Sequence, residues 1–162
     1  MLTAECQEMF NDTVLKEIDE IRGKYPDRKS ALLPALYVAQ REFGWLSDEA
    51  MMSVSRALNL PEAMVRGTAS FYSMFRHAPV GRHLIQLCTN VSCMILGAEK
   101  LIDFLQSTYG VRPGGTSQDG RFSLVVMECI GACGTAPAML VNTDFHDNLT
   151  ETTIEEILER YK

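Results

Sequence analysis

The hydrophobic pattern of the chain changes character near its middle. Over residues 4–22, Phe10, Val14, Ile18 and Ile21 recur at spacings of four, four and three, which lines them along one face of a helix. Thr3 is the expected N-cap, and Gly23 followed by Tyr25-Pro26 the expected stop. A second helix is predicted over residues 30–43, with Ser30 as N-cap and Pro34 early enough that its missing N–H costs little. Leu32, Leu33, Leu36, Ala39 and Phe43 form its inward face, and Gly44 suits the left-handed residue that follows. Ser47 caps a third helix to about Leu58, with Asp48 and Glu49 placed to oppose the dipole. Asn59-Leu60-Pro61 is a break, and Pro61 is predicted as the first residue of a fourth helix ending near Phe75. Gly67 within it costs about 1 kcal/mol relative to alanine, which predicts close packing there.

Ala78-Pro79-Val80-Gly81 reads as a boundary. Beyond it, His83 to Leu87 is a short apolar run suited to a buried strand. Residues 95–109 return to a helical period, with Ala98, Leu101, Ile102, Leu105 and Tyr109 on one face and Gly110 as stop. Residues 112–120 form a loop with two turn signals. Strands are predicted over 122–128 and 138–141, and Asn142-Thr143 turns the second into a return strand around Phe145-His146. Thr150 caps a last helix carrying Ile154, Ile157, Leu158 and Tyr161. The fold class is therefore α+β: an N-terminal helical bundle over residues 1–80, then a small sheet with packed helices over residues 81–162.

Composition narrows the function without naming it. The 162 residues are 46% hydrophobic and 22% charged, ordinary for a globular chain able to bury a core. No apolar run approaches the roughly 20 residues of a membrane span, so direct insertion is not expected. The acidic N-terminus lacks the order of a signal peptide, which makes the cytoplasm the expected location. The net charge is -6 and no basic stripe exists, which argues against nucleic acid as a partner. Neither a G-x-G-x-x-G nor a Walker loop is present, so no hydride-transfer site is expected on this chain.

The chemistry lies in Cys88, Cys93, Cys129 and Cys133, spaced C-x4-C and C-x3-C. Each pair sits where an apolar run gives way to small residues, the pattern of strand ends carrying ligand loops. Close cysteine pairs in a reducing compartment read as metal or redox chemistry rather than disulfides. Four soft sulfur donors suit a [2Fe–2S] cluster or zinc. Zinc ribbons favour C-x2-C, a thioredoxin-type dithiol wants C-x-x-C, and the plant ferredoxin run C-x4-C-x2-C is absent. Iron–sulfur leads on spacing, with zinc and unligated thiols as rivals. Gly131 and Gly134 bracket Cys133 and supply backbone freedom, and Cys93 is placed just before a helix, where free N–H groups favour thiolate.

The motif Glu128–Pro137, E-C-x-G-x-C-x-x-A-P, together with the Cys88–Cys93 pair and the Phe71–Phe75 stretch FYSMF, resembles the 24 kDa or E subunits of respiratory complex I. The resemblance covers nearly the whole chain. It implies a thioredoxin-like [2Fe–2S] ferredoxin region in which Cys88, Cys93, Cys129 and Cys133 hold one cluster. It implies an electron-transfer subunit of an NADH:quinone oxidoreductase, with FMN and NADH on a flavin- and NADH-binding partner subunit. It also implies a place in the soluble arm of a larger respiratory complex, peripheral to the inner membrane. Diaphorase subunits of NAD-dependent hydrogenases and formate dehydrogenases look similar, and a zinc-stabilised binding module is the other alternative.

Other residues have plainer readings. Cys6 is a bland helical cysteine, and His77, His83 and His146 are packing or surface residues. Phe71, Tyr72, Met74 and Phe75 either face the flavin subunit or bury the fourth helix. The methionines are core filler, Trp45 packs between helices, and Pro137 lies where thioredoxin-like folds often hold a cis proline.

Overall fold

The computed structural model describes residues 9–161. The chain divides between Pro79 and Val80 into two compact units. Thr3 and Cys6 lie outside the described residues.

In the first unit, helix α1 spans Asp12–Gly23 and begins later than the periodicity predicts. The Asn11 side chain accepts the Val14 N–H at 3.0 Å and sets that start. Phe10 stays in the core ahead of the helix, stacked on Phe43 with ring centroids 5.5 Å apart. Helix α2 spans Leu32–Phe43 and is preceded by a 3₁₀ turn, Arg28–Ala31. Asp27 caps that turn by accepting the Lys29 N–H at 3.0 Å, so the capping role expected of Ser30 falls to Asp27. Helix α3, Asp48–Leu58, has Ser47 as its cap, and Gly44 closes α2 at φ 79°. Helix α4 spans Glu62–Phe71, with Pro61 at the N-cap rather than inside. Ile18, Leu36, Leu46, Val54, Leu58 and Val65 are buried together between these helices.

Helix α4 stops four residues before the predicted end. Gln40, buried on α2, donates from Nε2 to the Met74 carbonyl at 3.0 Å and accepts the Arg76 N–H at Oε1 at 2.7 Å. This satisfied buried amide holds residues 74–76 against α2 and replaces helical continuation. Phe75 is buried as a result, whereas Phe71 at the helix end is 79% exposed. Gly67 overturns its expectation: a Cβ there would meet nothing within 4 Å, so no close packing requires it.

The second unit is built on a five-stranded sheet. Its strands are β1 (His83–Cys88), β2 (Gly115–Thr116), β3 (Phe122–Met127), β4 (Met139–Val141) and β5 (Asp144–His146), in the order β2-β3-β1-β4-β5. β1 and β3 run parallel, and the other neighbours are antiparallel. Parallel neighbours need a crossover, which carries helices α5 (Val91–Ile95) and α6 (Ala98–Tyr109). Ile85, Leu87, Phe122, Leu124, Met139 and Val141 form one buried cluster with Leu101 and Leu105 of α6 and with Ile154 and Leu158 of α7 (Glu151–Leu158). Asn142 at φ 57° turns β4 into β5, and its Oδ1 accepts the Leu84 N–H at 3.0 Å. Thr150 caps α7 in a capping box with Thr153. Arg121 holds the other end of α7, donating from Nε to the Tyr161 carbonyl and from a terminal nitrogen to the Leu158 carbonyl, both at 2.8 Å. Among the described residues, no helix is long and apolar enough to cross a membrane.

Candidate metal centre

The parallel pairing of β1 and β3 assembles the site. Cys88, the last residue of β1, sits across from Met127, the last residue of β3. Parallel strands end at the same edge of the sheet, so the loops after Cys88 and after Met127 leave side by side. The Thr89 N–H donates to the Met127 carbonyl at 3.0 Å and the Thr89 hydroxyl to the same carbonyl at 3.3 Å, tying the loops at their roots. The Cys88 N–H donates to the Ala138 carbonyl at 3.0 Å, which brings in the segment leading to β4.

Sequence reasoning missed helix α5. Asn90 caps it, its Oδ1 accepting the Val91 N–H at 2.9 Å, and Cys93 is the third of its five residues rather than lying before a helix. An Asn ahead of a short apolar run is a cap signal. In the second loop, Gly131 takes φ 80° and its N–H donates to Cys129 Sγ at 3.3 Å. Gly134 is not in the left-handed region, so only Gly131 uses the freedom expected of both. The Ala136–Pro137 peptide bond is cis.

The four thiols occupy two environments. Cys88 and Cys93 are buried, and Cys129 and Cys133 are exposed. Burial pushes the Cys88 thiol up, but the N–H groups of Asn90 and Ile130 and the thiols of Cys93 and Cys129 outweigh it and hold Cys88 below the ordinary thiol value. Burial raises Cys93, as does the hydrogen bond with Cys88; the Ala138 N–H opposes this, and the charges of Cys88 and Cys133 add to the rise. These influences place Cys129 beside Cys88 and make Cys133 felt at Cys93, so both loops contribute to one locus. Backbone N–H groups do reach the sulfurs as expected, but the thiolate expected at Cys93 is not favoured: burial and the hydrogen bond with Cys88 raise that thiol despite the Ala138 N–H.

Among the described residues, no group of three or more His, Cys, Asp or Glu side chains is gathered so as to hold a single metal ion. A two-iron centre divides four thiolates into two pairs, one per iron. The four soft donors, the N–H groups aimed at sulfur and the meeting of two loops fit such a group. The histidines stand elsewhere: His77 contacts the Ala69 carbonyl at 3.1 Å, His83 contacts Asn142 Nδ2 at 3.2 Å, and His146 contacts the Tyr161 hydroxyl at 3.3 Å.

A mixed α+β sheet domain with two cysteine loops at the shared end of neighbouring parallel strands defines a thioredoxin-like ferredoxin. The chain belongs to the thioredoxin-like [2Fe–2S] ferredoxin family, whose model matches residues 18–162. It is 42% identical over 150 residues to the second E subunit of the NADH-quinone oxidoreductase of Rhizobium meliloti (strain 1021), covering 93% of this chain and 89% of that one. To the NADH-quinone oxidoreductase E subunit of Escherichia coli (strain K12) it is 39% identical over 138 residues, covering 85% and 83%. The crystal structure of an NAD+-reducing [NiFe]-hydrogenase in the air-oxidized state contains a similar fold, with TM-score 0.69 and 29% identity. That match covers 80% of this chain and 22% of the hydrogenase chain, so this chain spans about a fifth of it.

Proposed function

We propose that Cys88, Cys93, Cys129 and Cys133 ligate one [2Fe–2S] cluster, and that the chain is the electron-transfer subunit of an NADH:quinone oxidoreductase. The observation that carries this reading is the register of β1 against β3, which delivers both cysteine loops to one end of the sheet. When bound, the cluster supplies a one-electron couple. Cys88 and Cys93 form its inner pair of ligands, and Cys129 and Cys133 its outer pair. The N–H groups of Asn90, Ile130, Ala138 and Gly131 point at three of the sulfurs and favour their charged form. The exposed pair sets the outer edge of the site, the side from which a redox partner can approach.

The partner in this reading is a flavin- and NADH-binding subunit carrying FMN, and the cluster exchanges single electrons with that flavin. The names and coverage of both NADH-quinone oxidoreductase relatives support a place in such a multi-subunit complex. The reading assigns the cluster to residues 81–162, with residues 1–80 as an accompanying helical domain, in the soluble arm of a membrane-peripheral complex. The hydrogenase likeness supports a second reading, the equivalent diaphorase subunit of an NAD-dependent hydrogenase.

The test is anaerobic reduction of the chain mixed with the flavin subunit of its own organism's NADH:quinone oxidoreductase. NADH is expected to produce the paramagnetic signal of a reduced [2Fe–2S] centre only when both chains are present. A chain that stays oxidised beside a flavin subunit reduced by NADH, at a potential low enough to reach the cluster, contradicts the assignment.

A further inference from the structure

We propose that Asn90 is a positioning residue of the two-iron centre, the one amide through which the chain fixes both buried cysteines and keeps the reduction potential from falling. The inference rests on the function proposed above and names a residue outside the four ligands on which the site depends. The sequence poses the problem. The segment Val91–Ile95, VSCMI, has to form a helix in five residues. So short a helix closes few internal hydrogen bonds against the cost of nucleation. Val91 and Ile95 are β-branched and Ser92 competes for nearby backbone groups, so intrinsic propensity does not help. Yet Cys93 stands in the middle of this helix, and the helix decides where that sulfur lies.

The structure shows what holds the segment. Asn90 has extended backbone, φ -72° and ψ 166°, and turns the chain from β1 into α5. Its Oδ1 accepts the Val91 N–H at 2.9 Å, and its carbonyl accepts the Met94 N–H at 2.8 Å. These two bonds set the first turn of the helix that carries Cys93. The Asn90 N–H donates in the other direction, to the Cys88 sulfur. Cys88 and Cys93 are each 2% exposed and pack in one small cluster with Ala98. Water therefore cannot replace a donor that leaves either sulfur. Asn90 itself is exposed, so replacing it opens no cavity in the core. Its contribution is hydrogen bonding alone. Once the amide is gone, the Val91 N–H loses its acceptor, the Asn90 backbone is no longer held extended, and its N–H turns away from Cys88. The reduced centre carries the extra negative charge and loses more from a departing donor than the oxidised one, so the potential falls.

The experiment is potentiometric titration of the cluster-loaded chain, followed by its paramagnetic signal, for wild type, Asn90→Ala, Asn90→Ser and Ser47→Ala. Serine is an N-cap of about the same strength as asparagine. Ser47 caps α3 in the first unit, where its Oγ accepts the Ala50 N–H at 3.1 Å, so its loss reports destabilisation alone. Asn90→Ala is expected to shift the reduced-to-oxidised ratio at a fixed potential toward oxidised by about threefold to tenfold, roughly 30–60 mV at 59 mV per tenfold. Its signal is expected to move in g value as well. Asn90→Ser is expected to stay within about twofold of wild type. Ser47→Ala is expected to melt a few degrees lower with the wild-type ratio unchanged. Where Asn90→Ala fails to load a cluster, iron content is the readout, and Asn90→Ser and Ser47→Ala are expected to load fully.

The proposal is overturned if Asn90→Ala keeps the wild-type potential and signal, or if Asn90→Ser falls as far as Asn90→Ala in potential or in iron content. It is also overturned if Ser47→Ala moves the potential equally, because general destabilisation then accounts for the shift. A wild-type chain that shows no [2Fe–2S] signal removes the functional reading and this role together. A wild-type signal that Asn90→Ala leaves unaltered removes only the role of Asn90.

Discussion

Replacing Gly131 by alanine separates the backbone's contribution to the site from that of the cysteines. Gly131 sits at φ 80°, and a Cβ added there would meet nothing within 4 Å. The penalty is therefore conformational and not steric: holding an L-residue in the left-handed region costs about 1–2 kcal/mol. For a chain of this length, each kcal/mol moves the melting temperature by about 2–4 °C, so Gly131→Ala is expected to melt roughly 2–8 °C lower. Gly131→Asn should lose less, because asparagine tolerates that region. The same residue donates its N–H to Cys129 Sγ at 3.3 Å. If the loop relieves its strain by rotating, that donor leaves the sulfur. The reduced centre carries the extra negative charge and loses more than the oxidised one, so the reduction potential falls. A differential loss of about 1 kcal/mol corresponds to roughly 40 mV for one electron. Gly134→Ala is the internal control, since Gly134 has no positive φ and open space around it; its effect should stay within about 0.5 kcal/mol. Anaerobic thermal melts and potentiometric titration followed by the paramagnetic signal read both quantities. If Gly131→Ala matches wild type in stability and potential, or if Gly134→Ala is the costlier change, the reasoning is refuted.

Three further outcomes are expected. Leu87 is fully buried in the sheet core, so Leu87→Ala should cost about 2–5 kcal/mol in urea denaturation; a loss under 1 kcal/mol, on the order of a surface change, would contradict that burial. Arg121→Ala removes both donors from the Leu158 and Tyr161 carbonyls, costing about 1–3 kcal/mol; hydrogen exchange should quicken at the α7 amides and not in α2, and uniform exchange would refute the local role. His83 is held below the ordinary imidazole value by burial and then by Arg82 and Arg121. His146 is lowered chiefly by burial, against the opposing pull of Asp144. The unfolded chain therefore binds protons that the folded one refuses, and stability should fall as pH drops from about 6.5 toward the lowered values. A His83→Gln, His146→Gln double variant should flatten that slope, and an unchanged slope rules the histidines out as its source.

Much of this architecture is legible in the sequence, for reasons that lie in single residues. Ser47 and Thr150 cap the helices expected of them, and Gly44 and Gly110 stop theirs at φ 79° and 64°. Asn142-Thr143 turns β4 into β5 as expected. What failed was set by distant contacts or by elements too short to show a period. The end of α4 is decided by Gln40, more than thirty residues away in sequence, which no local propensity reports. Helix α5 has five residues and strand β2 two, and neither is long enough for periodicity to register. At the site, spacing singles out the cysteines, but the parallel pairing that joins their loops, the N–H donors and the inner–outer division of the thiols are tertiary facts. The apolar run of β1 does not reveal which strand lies beside it.

The central claim is that neighbouring parallel strands bring four thiolates to one two-iron centre. Iron and acid-labile sulfide analysis of anaerobically purified protein, combined with the paramagnetic signal of the reduced sample before and after Cys129→Ser, tests it most directly. The account predicts about two irons and two sulfides per chain, no zinc, and a signal lost or altered by the substitution. Zinc in place of iron, or a signal that survives Cys129→Ser unchanged, contradicts it.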